Sequence, residues 1–144
     1  MRQALHEAAQ AAGCGEVPVG AVIVAGGKVI GRGRNRMEEL RDATKHAEIQ
    51  AIQEASRKLD NWRLDGAALF VTLEPCSMCI GAILLSRIEE LYFGCYDPRQ
   101  GAVGSLFDLS NHPGMPHAVQ VYPEVLAAEC SAQLKDFFAG LRND

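Results

Sequence analysis

Ala67-Ala68-Leu69-Phe70-Val71-Thr72-Leu73-Glu74-Pro75-Cys76-Ser77-Met78-Cys79 is the stretch on which the fold turns. Its first seven residues are a short apolar run of the kind that forms a strand buried on both faces. Pro75 then suits the first position of a helix, because its missing N–H would find no partner there. The pattern predicts a helix over 75–86. A buried strand that feeds a helix predicts a sheet with helices packed on it.

The flanking segments repeat this alternation. Residues 2–12 are Ala-rich and stop at Gly13, which predicts a helix. Residues 19–24 and 29–36 read as two strands joined by the tight turn Ala25-Gly26-Gly27-Lys28, a hairpin. Residues 46–59 read as a helix, with Thr44 as a candidate cap. Leu91-Tyr92-Phe93 reads as a strand, 94–117 as a Gly/Pro-rich loop, 118–122 as a last strand and 123–141 as a final helix. The predicted order is α-β-β-α-β-α-β-loop-β-α, a single α/β domain over 1–144.

Composition narrows the class. With 144 residues, 48% hydrophobic and 22% charged, the chain has an ordinary globular make-up and enough length for a core. No apolar run reaches the length of a membrane span, and Glu7 falls where a signal peptide needs an apolar core, so a cytoplasmic protein with no membrane partner is expected. The net charge of −4 argues against non-specific coating of nucleic acid. Arg32, Arg34 and Arg36 alternate, however, and would share one face of a strand; a local basic surface and a solvated strand edge fit equally well. Five cysteines, two of them spaced Cys76-x-x-Cys79, favour metal or redox chemistry over a disulfide framework.

The chemistry lies in two short segments, His46-Ala47-Glu48 and Pro75-Cys76-Ser77-Met78-Cys79. They offer three soft metal ligands, His46, Cys76 and Cys79, and a spare carboxylate, Glu48. Structural zinc sites close with four protein ligands, whereas catalytic ones use three and leave a place for water. Each segment is predicted to open a helix, whose N-terminal N–H groups and positive dipole end favour thiolate. Glu48 is near enough to exchange a proton with a water without ligating the metal. A Cys-x-x-Cys alone also fits a redox pair or a structural zinc knuckle. A fourth ligand could come from Cys14, Cys95 or Cys130, but each is isolated among small or apolar residues, where a free Cys behaves as a small buried hydrophobe.

The ordered pair His-x-Glu and Pro-Cys-x-x-Cys is the signature of zinc nucleobase deaminases, and the chain resembles the cytidine-deaminase-like superfamily. More closely, it resembles the bacterial tRNA-specific adenosine deaminases. The matching stretches include Glu16-Val17-Pro18-Val19-Gly20-Ala21, Asn35, His46-Ala47-Glu48, Asn61-Trp62-Arg63-Leu64, 69–76, Ser86-Arg87-Ile88, Gly104-Ser105-Leu106, 111–115 and Phe137-Phe138. The resemblance implies a three-layer α/β/α fold with a central mixed five-stranded sheet. It implies one Zn2+ per subunit on His46, Cys76 and Cys79, with Glu48 as proton shuttle. The implied substrate is the wobble adenosine in the anticodon stem-loop of a tRNA, and the implied assembly a homodimer. By position, Asn35 matches an amide that contacts the flipped base, and Val17, Pro18 and Leu73 match apolar walls of its pocket. Ala47 and Glu74, inside the two signature segments, count with the substrate-binding set. Asp97 matches a loop position beside the target nucleotide; Phe138 and Arg142 match terminal-helix positions that touch flanking nucleotides. His112 and His117, in the Gly/Pro loop, are candidates for nucleotide contact or for loop-stabilising hydrogen bonds. The chain departs from the family at Lys45, Pro116 and Ala118 and ends without a Lys-rich tail, changes that bear on RNA binding and leave the zinc chemistry alone. A free nucleobase or nucleoside deaminase is the alternative within enzymes. A non-catalytic zinc-binding module would leave Glu48 without a task.

Overall fold

The computed structural model describes residues 1–143. Five helices and five strands follow in the order α1 (Arg2–Gly13), β1 (Gly20–Ala25), β2 (Lys28–Arg34), α2 (Met37–Leu40), α3 (Ala47–Leu59), β3 (Ala68–Leu73), α4 (Ser77–Leu85), β4 (Glu90–Cys95), β5 (Gln120–Tyr122) and α5 (Ala127–Asn143). The strands form one mixed sheet, ordered β2-β1-β3-β4-β5. β1 runs antiparallel to β2 and β3, while β3, β4 and β5 are parallel. The β1–β2 hairpin turns on Gly26 and Gly27, both at positive φ, which suits a two-residue turn matched to strand twist.

Alternate residues divide the sheet between two helical layers. Ala21, Ile23, Leu69, Val71, Leu91 and Phe93 join Ala47, Ala51 and Ala55 of α3 and Ile80, Ile83 and Leu84 of α4 in one apolar core. On the opposite face, α1 covers Gly20, and α5 packs its Cys130 over Gly94. The expected three layers are present.

The contact between β2 and α3 is set by small residues. A Cβ added at Gly33 would strike the carbonyl oxygen of Ala47, and one at Gly31 that of Ala51. The helix lies directly on the strand, so the turn containing His46 comes close to the end of β2. The Gln50 amide seals this junction by donating to the carbonyl oxygens of Arg34, Lys45 (3.3 Å) and His46.

Several sequence expectations are corrected at element ends. A short helix, α2, lies between β2 and α3, where no element was expected. The buried carboxylate of Glu16 organises it, accepting hydrogen bonds from the N–H groups of Glu38 (3.1 Å) and Glu39 (2.9 Å). Pro75 is not the first helical residue. Cys76 is extended (φ −78°, ψ 177°) and forms the N-cap of α4, while the Pro75 carbonyl accepts the N–H of Ala102. His46, not Thr44, is the N-cap of α3; the Thr44 hydroxyl is held by Asp42 instead. The final helix begins at Ala127 rather than at Pro123, after Glu124 and Leu126 take positive φ. β2 ends at Arg34, so Arg36 leaves the shared strand face and pairs with Glu39.

Gly33→Ala should lower stability by about 1–3 kcal/mol, the usual cost of overpacking. Urea denaturation measures this; an unchanged midpoint would contradict the close packing of α3 on β2.

Candidate active site

The three soft ligands meet where α3 and α4 begin. His46 and Cys76 are N-caps in extended conformation, and neither uses its side chain to cap its helix. Both side chains are therefore free to turn toward each other. Cys79 lies one turn into α4 and is fully buried. His46 Nδ1 sits 3.5 Å from each sulfur, and the three ligand atoms lie within 4.8 Å of one another. Tetrahedral zinc, with Zn–S near 2.3 Å and Zn–N near 2.05 Å, places N and S about 3.6 Å apart. The donor set and its nitrogen–sulfur spacing therefore suit that ion.

Two helix N-termini converge on this cluster, and its electrostatics follow. The Cys76 thiol is held down to about 4 by hydrogen bonding with the Cys79 thiol and with the His46 ring, against the opposing effect of burial. Cys79 is pushed the other way, chiefly by its bond to Cys76 and by burial. His46 is raised above the ordinary imidazole value, first by its bond to Cys76. Glu48, in the first turn of α3, is 4% exposed. Burial pushes its carboxyl up to about 7, with the Cys76 charge adding to the rise and a backbone hydrogen bond opposing it. A carboxyl poised near neutrality beside a three-ligand cluster can both accept and return a proton.

The apolar residues expected to wall a pocket gather at the same end of the sheet. Gly20 N–H donates to Thr72 Oγ1, which ties the start of β1 to the end of β3. Pro18 and Ala47 are buried there, and Val17 and Leu73 half-buried. Asn35 is buried; its amide donates to the Val17 carbonyl (3.2 Å) and accepts from Met37 N–H (3.3 Å). This amide cross-links the Val17-Pro18 segment to the turn after β2.

Glu74 has a different task from the one expected. It is 2% exposed, and its carboxylate is filled by donors from one loop. The N–H groups of Asp97 (2.9 Å), Val103 (2.9 Å) and Ser105 (3.0 Å) bond to it, together with the Ser105 hydroxyl. A Cβ at Gly101 would collide with this carboxyl group. Glu74 thus folds residues 97–105 around itself rather than facing a ligand. It holds Asp97 at the active end of the sheet, where the Asp97 carboxylate also accepts from Arg99 N–H.

The structure does not bring the remaining candidates to the cluster. His112 is exposed, with Nδ1 accepting the Gly114 N–H at 2.9 Å, the loop-stabilising alternative. His117 is half-buried just before β5, at the N-terminal ends of the parallel strands. The cluster follows their C-terminal ends, about 20 Å away for six-residue strands. Phe138 is 40% exposed on α5, its ring edge-on to Phe137 at 5.4 Å, and Arg142 is exposed near the end of that helix. Among the other cysteines, Cys130 is buried as expected, but Cys14 is exposed and Cys95 half-buried. The roles of Glu16, Gln50 and Glu74 as loop and junction organisers were missed. The available signal was a charged residue, Glu74, at the end of an apolar strand.

The comparisons with known proteins agree with this arrangement. A family model described as MafB19-like deaminase matches residues 1–142, so fold and site define a deaminase. The tRNA-specific adenosine deaminase of Bacillus subtilis (strain 168) is 45% identical over 142 residues, covering 99% of this chain and 88% of that protein. The protein of the same name from Aquifex aeolicus (strain VF5) is 46% identical over 146 residues, covering 100% of this chain and 95% of that one. A solved structure from work on A-to-I editing by tRNA:A34 deaminases superimposes with a TM-score of 0.90 at 47% identity, covering 93% of this chain and 97% of that chain. A guanine deaminase from Bacillus subtilis is more distant, with a TM-score of 0.65 at 30% identity over 99% of this chain and 91% of that one. The chain belongs to the family of tRNA-specific adenosine deaminases.

Two outcomes follow from the site. Metal ligands bind deprotonated, so the raised His46 and Cys79 must lose protons on loading, and zinc affinity should fall as pH drops. Calorimetric titration in buffers of different ionisation enthalpy should show proton release; a pH-independent affinity would contradict the ligand set. Glu74→Gln replaces an acceptor oxygen with a donor against a loop of N–H groups and should cost about 1–3 kcal/mol. Denaturant unfolding reads that cost, and hydrogen exchange should show faster opening confined to residues 97–105.

Proposed function

We propose that this chain deaminates the wobble adenosine in the anticodon loop of a tRNA by hydrolysis, giving inosine and ammonia. His46, Cys76 and Cys79 hold one Zn2+ per subunit. The zinc, when bound, supplies a Lewis acid that makes water nucleophilic near neutral pH. Glu48 takes a proton from the water at its carboxylate, stores it in an environment that favours the protonated form, and delivers it to the departing amino group. Buried Ala47 and the walls Val17, Pro18 and Leu73 surround the base and keep bulk water out, and Asn35 offers its amide to the base edge. Asp97, held by Glu74, lies beside the target nucleotide, and Phe138 and Arg142 contact its neighbours. The protein acts as a homodimer.

One observation carries this reading: a buried carboxyl poised near neutrality stands beside, and outside, a complete three-ligand set. A structural zinc module has no use for such a group. The single-stranded anticodon loop supports the choice of substrate, because a base already out of a duplex is the least costly to extract. The names of the full-length relatives point to the same substrate. Among the described residues, no helix is long and apolar enough to cross a membrane.

Incubation with an anticodon stem-loop bearing a wobble adenosine should produce inosine, read by mass spectrometry. Ammonia release from guanine or cytidine with no inosine in RNA would establish the free-base alternative instead. Glu48→Gln should retain stoichiometric zinc and lose about 10²–10⁴-fold in kcat. Full turnover by that variant would refute the assigned role.

A further inference from the structure

Arg32 and Arg34 alternate along β2 with Gly31 and Gly33, and the glycines face α3. The two arginines therefore project on the opposite face, beside α1. There Arg2, Gln3, His6, Glu7 and Gln10 of α1, with Arg32 of β2, line a cavity of about 460 Å3. Among the described residues, none of Arg2, Arg32 and Arg34 pairs with a carboxylate within 4.0 Å. Arg34 reaches the cavity rim, where Nη1 donates to Gln10 Oε1 at 3.4 Å, while the same amide's nitrogen lies 3.0 Å from His6 Nε2. Two guanidiniums, Arg2 and Arg32, and the His6 imidazole line the cavity with one carboxylate, Glu7; Arg34 stands at the rim through Gln10, and the Glu54 carboxylate accepts the Arg32 backbone N–H at 3.2 Å. Guanidinium forks match the oxygens of a phosphate.

We propose that this cavity is a phosphate subsite, taking a phosphodiester of the RNA strand a few nucleotides from the reacting base. The position fits, because the extended chain covers about 10 Å over the three steps from Arg32 to Asn35, just past the end of β2, and Asn35 borders the candidate site. The inference rests on the RNA-deaminase reading above and adds the path by which the strand leaves the site. Arg36, paired with Glu39, is not part of it.

The test uses the full-length, zinc-loaded protein with Arg32, whose exposed side chain can be changed without disturbing the core. Arg32→Glu should raise KM for the wobble-adenosine stem-loop about ten-fold, with the loss in KM rather than kcat, and should lower the slope of log KM against log salt by about one or more. Arg32→Lys keeps the charge and should recover most of the lost KM and the salt slope. An unchanged KM and slope in active Arg32→Glu overturns the subsite and leaves the deaminase reading standing. A wild type that makes no inosine sinks the deaminase reading, and inorganic phosphate then decides the subsite. Millimolar phosphate should shift the Arg32 Nε–Hε resonance in NMR spectra of the wild type, and its failure to do so overturns the proposal.

Discussion

The 3.5 Å approach of one imidazole nitrogen to two sulfurs is the constraint on which the rest of the site depends. It joins the N-termini of two helices thirty residues apart in the chain. Two such ends carry partial positive charge and would repel one another if they met bare. The Cys76 thiolate supplies compensating negative charge where the dipoles point. The N-cap geometry serves the same end. His46 and Cys76 are extended, so their side chains leave their helices sideways instead of folding back to satisfy first-turn N–H groups.

That convergence is possible because the helices can approach the sheet. Gly31 and Gly33 on β2 meet Ala47, Ala51 and Ala55 on α3 without intervening side-chain bulk. Along α4, Cys79, Ile80, Ile83 and Leu84 are all buried, which fixes the rotation of that helix and so the direction of Cys79. On the far side of the ligands, Glu74 gathers a loop whose backbone would otherwise lack acceptors. One carboxylate thereby connects the end of β3 to the loop that carries Asp97, Val103 and Ser105.

The sequence was legible where one residue type has one use. The meeting of His46, Cys76 and Cys79, with Glu48 buried beside them, could be read from spacing, because few other arrangements bring such groups to two helix starts. Strand and helix order could be read from periodicity and from glycine and proline. Boundaries were less readable, since Pro75 is as compatible with the residue before a cap as with the first helical position, and tertiary hydrogen bonds decide between them. Glu74 could not be assigned from sequence: its partners are backbone N–H groups, which every residue possesses, and they come from 23 to 31 residues further along the chain. His112 and His117 were candidates for nucleotide contact because histidine in a Gly/Pro loop is conspicuous. β5 runs parallel to β3 and β4, so the second half of that loop must return to the N-terminal ends of the strands, opposite the cluster.

The acidic balance of the chain is compatible with an RNA substrate for a reason of length scale. At physiological ionic strength, charges more than about 8 Å apart are largely screened, so a strand of RNA responds to the local field and not to a net charge of −4. β2 is an edge strand with arginines on one face and glycines on the other. The glycine face brings α3, and with it His46, onto the sheet; the arginine face sets cationic groups beside α1, with no carboxylate within 4.0 Å among the described residues. A seven-residue strand thus carries two requirements at once, close packing toward the His46, Cys76 and Cys79 cluster and positive charge toward solvent. Period-two alternation lets it meet both without compromise, since the side chains serving one cannot crowd those serving the other.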